Sequence, residues 1–194
     1  MKRSALSALL SVACALALSG CNLLPAPQAD NTRYYVLESA AAPAAASGAV
    51  RLGLRRVEVP AYLKSKAIVS RAGNNELRYA DAARWAEPLE AGIARVLRDQ
   101  LGANAAVSTY PFPAQVERDF DVVVSVLAAE GRDDGVHFAA SFEIARASDS
   151  TVVVRRTFSA PVTVWRGDHG QLAAQLSVAA AALANEIAAA LPAK

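Results

Sequence analysis

Sulfur and imidazole are scarce in this chain of 194 residues, which holds two cysteines, one methionine and two histidines. Both cysteines, Cys14 and Cys21, fall at the N-terminal end, so everything downstream lacks thiols. That excludes disulfides, thiolate metal sites and a cysteine nucleophile from any domain that follows. His137 and His169 lie far apart in sequence, and neither sits in a cluster with metal-ligand spacing. No HExxH, GxSxG or Gly-rich phosphate loop occurs. Asp168 and His169 are neighbours, and adjacent side chains point apart, so they do not make a triad by themselves. His137 reads as an exposed strand residue rather than a proton shuttle. The sequence therefore assigns no catalytic residue, no metal ligand and no cofactor. An anchored hydrolase is the weakest of the available readings.

What the chain does have begins at its first residue. Met1-Lys2-Arg3 precedes an apolar run from Ala5 to Leu18, a short basic region followed by a core too short to span a bilayer, which needs about 20 apolar residues. That pattern is a secretion signal over residues 1–20. Its end, Leu18-Ser19-Gly20-Cys21, resembles the lipobox of bacterial lipoproteins. The resemblance implies cleavage before Cys21 and acylation of its thiol by two or three chains, enough for a stable anchor where one chain would bind only marginally. Asn22, rather than Asp, at the second mature position points to the outer membrane, with the domain on its periplasmic face. Lys2 and Arg3 leave with the signal, so 20 basic residues become 18, against 18 acidic ones. A mature chain near zero charge argues against a nucleic-acid partner.

Residues 21–31 read as a lipidated, Pro- and Ala-rich tether. Ten such residues reach at most roughly 35 Å, which keeps the domain close to its membrane. Residues 32–194 form the domain. Strands are expected at Arg33–Glu38 and over Val50–Val59, where the apolar phase slips by one near Arg55–Arg56. A hairpin is expected at Ala67–Arg71 and Glu76–Tyr79. A helix starting near Ala86 carries the stripe Trp85, Leu89, Ile93, Val96, Leu97 and Leu101, with Pro88 in its first turn. The short strand Ala105–Thr109 then lies parallel to the one at 50–59. An antiparallel meander follows: Phe120–Ala129, apolar on both faces and hence central, then Val136–Ala145, then Thr151–Val164, bent at Pro161. The Ala-rich segment Leu172–Leu191 is long enough to span a membrane. Its polar interruptions and the stripe of Leu172, Leu176, Ala179, Leu183, Ile187 and Leu191 make it a helix packed on the sheet instead. The fold class is α/β, a single-domain sandwich of a mixed, largely antiparallel sheet and two main helices.

Three segments stand out: Tyr34-Tyr35-Val36-Leu37, Val57-Glu58-Val59-Pro60-Ala61-Tyr62-Leu63 and Arg84-Trp85-Ala86-Glu87-Pro88-Leu89-Glu90. In this order, between a lipobox and a terminal helix, they resemble the ABC-type transport auxiliary lipoprotein family, which includes the PqiC-like lipoproteins. The resemblance covers nearly the whole mature chain. It implies an α/β sandwich and a non-enzymatic role as outer-membrane accessory to an envelope transporter, with an MCE-type periplasmic or inner-membrane component as partner and lipid as the cargo of such systems. On the residues themselves, Tyr62 and Leu63 follow a strand-stopping Pro60 beside Lys64 and Lys66, so all four are candidate partner-binding residues on a surface loop. Trp85 reads as core. Arg84 and Glu87, three apart, are placed to pair on the helix surface. A carrier that itself holds an apolar ligand between sheet and helices is the alternative function, and a homo-oligomer is compatible with the sequence.

Overall fold

The structure, a computed structural model, describes residues 29–39 and 50–192. The signal, Cys21 and the Ala/Pro/Ser loop at 40–49 lie outside the described residues. Ala29–Asn31 has no regular secondary structure, and Thr32 onward forms one compact unit. Its elements run β1 (Arg33–Tyr35), β2 (Val50–Leu54), the 3-10 helix η1 (Ala61–Lys64), β3 (Ala67–Ala72), β4 (Glu76–Trp85), α1 (Leu89–Leu101), β5 (Ala105–Thr109), β6 (Phe120–Arg132), β7 (Gly135–Arg146), β8 (Val152–Ser159) and α2 (His169–Ala189).

All eight strands belong to one mixed sheet. β6 is its axis. One edge of β6 takes β2 in parallel near Phe120–Val122 and β3 in parallel near Gly131–Arg132; the other takes β7 antiparallel along almost its whole length. β8 extends the meander beyond β7, β4 pairs antiparallel with β3, and β1 lies parallel to β4. β5 pairs in parallel with β2 after the helical crossover, as the strand–helix–strand order requires. The longest ladders are the antiparallel ones, and the fold is α/β.

One layer of helices covers one face of this sheet. Val122, Val124 and Val126 of β6 and Phe138, Ala140, Phe142 and Ile144 of β7 are buried there. They share a single core with two helical stripes: Ile93, Val96, Leu97 and Leu101 of α1, and Leu172, Leu176, Ala180, Leu183 and Ile187 of α2. The other face is open, with Val123 37% and Leu127 52% exposed. β6 is thus central in having partners on both edges, but the expectation that both its faces are covered is corrected. Leu127 falls where the β6/β7 register shifts between Val126 and Ala128, an extra residue that the ladder leaves unpaired.

Several boundaries differ from those expected, among them that β1 ends at Tyr35 and not at Glu38. β4 runs on to Trp85 instead of ending at Tyr79, and α1 starts at Leu89, so Trp85 closes a strand and is no part of the helical stripe. Regular pairing in β2 ends at Leu54; the chain then follows β6 through Arg55 N to Val122 O and Glu58 N to Val124 O, and Val57 and Val59 turn inward in the slipped phase. β8 stops at Ser159 before Pro161; beyond it Ala160 N donates to Phe138 O and a bridge joins Thr163 to Val136.

α2 is long and apolar enough to cross a membrane by length and composition, yet half of it is buried within the domain. Asp168 caps it, accepting from Gln171 N at 2.5 Å. Ser177 is buried in its middle, where its Oγ donates to Ala173 O and accepts from Glu38 N, tying the helix to the segment after β1.

Candidate docking site

The three distinctive segments meet in space. Ala86 N donates to Tyr35 O at 2.9 Å, which joins the first segment to the third, and Trp85 N donates to Lys66 O at 2.7 Å, which joins the third to the residues just after the second. Arg95 of α1 donates to both Leu37 O and Glu87 Oε1, holding the segment after β1 against the start of the helix. Gly92 faces this junction: a Cβ there would lie in ordinary contact with Leu37 at 3.6 Å and press on the Glu87 carboxylate at 3.2 Å. Trp85 is 5% exposed and belongs to the core, which it enters from the end of β4.

Pro60 does end the extended run, but the chain turns into η1 with Leu63 N donating to Pro60 O at 3.0 Å. A 3-10 turn sends successive side chains in different directions. Lys64 and Lys66 are exposed, Tyr62 is half-buried, and Leu63 is 2% exposed. The expectation that Leu63 faces outward on a surface loop is therefore corrected: it plugs the core beneath the turn.

Tyr62 belongs to a charged cluster that sequence reasoning missed. Glu130 of β6 is fully buried, and its Oε1 accepts from Arg71 Nε at 2.6 Å and Arg132 Nε at 2.9 Å. The Arg71 guanidinium also lies 5.6 Å from the centre of the Tyr62 ring. Burial would raise the Glu130 pKa, but Arg71, the Tyr62 hydroxyl and Arg132 outweigh it and hold the carboxyl below its usual range. Burial, and then Glu130, push the Tyr62 phenol up to about 12. The cluster fixes η1 to β3 and β6. The missed signal was Glu130 itself, an acid near the end of an apolar strand.

Other polar groups are placed structurally. Glu87 pairs with Arg95 at 2.5 Å, not with Arg84, which donates to the carbonyls of Ala80 and Ala83. His137 contacts Asp134 at 2.8 Å, and His169 packs its ring 6.3 Å from that of Tyr35. Among the described residues, no group of three His, Asp or Glu is placed to hold a metal ion.

Residues 35–188, which include the second and third segments and all of the first but Tyr34, match the family of ABC-type transport auxiliary lipoprotein components. The chain belongs to that family. No curated protein is a significant match by sequence. Among solved structures, an uncharacterized protein superposes with a TM-score of 0.67 at 20% identity, covering 81% of this chain and 97% of its own. A Xanthomonas campestris protein gives 0.66 at 17% identity, covering 80% and 92%. Both show that the sandwich is a shared fold. The PelC dodecamer from Paraburkholderia phytofirmans, with a TM-score of 0.43 at 15% identity over 79% of this chain and 96% of its own, is too distant to bear on assembly here.

Proposed function

We propose that this auxiliary lipoprotein is a non-enzymatic component of an MCE-type, ABC-driven envelope system that moves lipid between membranes. Acylated Cys21 anchors it to the periplasmic face of the outer membrane, and the short tether holds the domain there. The observation that carries this reading is family membership across residues 35–188. Docking to the MCE-type partner falls to the turn at residues 61–66. Lys64 and Lys66 present charge at its surface, Tyr62 forms its half-buried edge, and Leu63 contributes from beneath by fixing its shape. The test is charge reversal at the two exposed positions, because their side chains carry no packing. Lys64→Glu with Lys66→Glu should weaken capture of the MCE-type partner by roughly tenfold or more while leaving the unfolding midpoint in place. Capture at the wild-type level would move docking to another surface.

A further inference from the structure

The ends of the β3–β4 and β6–β7 hairpins and the turn before α2 meet around a depression of about 350 Å³. Arg71, Arg78, Arg132, Asp133, Trp165 and Arg166 line it. Two hydrogen bonds fix its walls. Gly73 N of one hairpin donates to Asp133 of the other at 3.0 Å, and Trp165 Nε1 donates to Asp168 O at 2.7 Å. The Trp165 ring lies directly on the backbone of β6. A Cβ at Gly131 would come within 2.4 Å of it, so only glycine leaves the ring this place.

Charges of both signs line the depression, and neither sign is fully paired. Arg71 and Arg132 donate to the same oxygen of Glu130, so one carboxylate answers two guanidiniums. Arg78 pairs with Glu76 at 2.8 Å where both are exposed, a contact that water weakens. Arg166 is exposed and has no ion pair among the described residues. Opposite in sign stands Asp133, also exposed and without an ion pair among the described residues. One of its oxygens accepts from Gly73 N, and the other makes no hydrogen bond among the described residues. Asp134, the next residue, contacts His137 instead. With Glu76 and Glu130 counted beside Asp133, four guanidiniums face three carboxylates. A simple anion bound here meets Asp133, and a simple cation meets the arginines. A ligand that carries both signs meets neither penalty.

We propose that this depression binds a phosphate ester with a primary ammonium a few bonds away, the chemistry of phosphoethanolamine, either free or as the head of a lipid. The phosphate lies against Arg166 and Arg132, whose planar forks suit its oxygens. The ammonium donates to the open oxygen of Asp133 and rests against the indole of Trp165. The site stands whether or not the turn at 61–66 docks a transporter.

The test titrates the lipidated full chain calorimetrically in dodecyl maltoside micelles, with empty micelles subtracted. The probes are phosphoethanolamine, dihexanoylphosphatidylethanolamine, phosphocholine, inorganic phosphate and ethanolamine. One or both of the first two should bind at least about tenfold more tightly than each of the other three. The ratio between those two separates a free ligand from a lipid head. Asp133→Asn should remove the preference over inorganic phosphate and phosphocholine, because Asn still accepts from Gly73 N but carries no charge. Arg166→Gln should weaken both ammonium-bearing phosphates, and each variant should keep the wild-type unfolding midpoint. Phosphocholine, inorganic phosphate or ethanolamine binding as tightly as the better of the first two would overturn the proposal. So would no binding of either, or wild-type binding and preference in either variant.

Discussion

Glu130 shows how one residue sets the behaviour of its surroundings. Its carboxylate is removed from water and compensated by Arg71 and Arg132, so the folded state favours the ionised form. A pKa held below the unfolded value, about 4.3 for glutamate, gives stability that is complete above that pH and is lost as pH falls through the folded value. Wild-type unfolding midpoints should therefore decline in that acid range more steeply than those of Glu130→Gln; equal slopes would contradict the assignment. Leu63 and its neighbours make a second contrast. Leu63→Ala should cost about 2–5 kcal/mol in chemical unfolding, whereas Lys64→Ala and Lys66→Ala should each stay within about 0.5 kcal/mol. Trp85→Ala should cost about 3–5 kcal/mol. Trp85 is buried as expected, but not for the expected reason: it closes β4 instead of lying on the helical stripe. The burial of Leu63 was not legible, because a pattern of Pro, Tyr, Leu and Lys does not say which way a single 3-10 turn rotates.

At the scale of elements, the period of hydrophobicity revealed most of the sheet and both helices, and it failed where pairing overrides local preference. Ala80-Asp81-Ala82-Ala83-Arg84 has little β-propensity, yet pairing on either side of it, Tyr79 with Val69 and Arg84 with Ala67 in β3 across a register shift, and Ala83 to Trp85 with β1, carries β4 further than its sequence suggests. α2 was legible as a packed helix from its stripe, and its alanines explain how closely it lies on the sheet. Ala180 and Ala184 are fully buried, so Ala184→Leu should overpack the core and cost about 1–3 kcal/mol. Val178 is exposed on the opposite side, and Val178→Lys should change stability by less than about 0.5 kcal/mol. Loss of the protein on introducing that lysine would instead fit a membrane span.

For the whole molecule, the anchor and the domain carry separate parts of the role. Cys21→Ser should leave an unacylated precursor that no longer fractionates with the outer membrane, while the domain keeps its fold. The family was legible because its segments, weak alone, keep their order, and the structure explains that order by bringing them together at the start of α1. The transport role is best tested by crosslinking in intact envelopes, followed by capture of the lipidated protein and quantitative mass spectrometry. An MCE-type subunit should be enriched over its recovery with an unrelated outer-membrane lipoprotein, and the Lys64→Glu, Lys66→Glu variant should reduce that enrichment. Recovery of the MCE-type subunit no higher than with the unrelated lipoprotein would contradict the role.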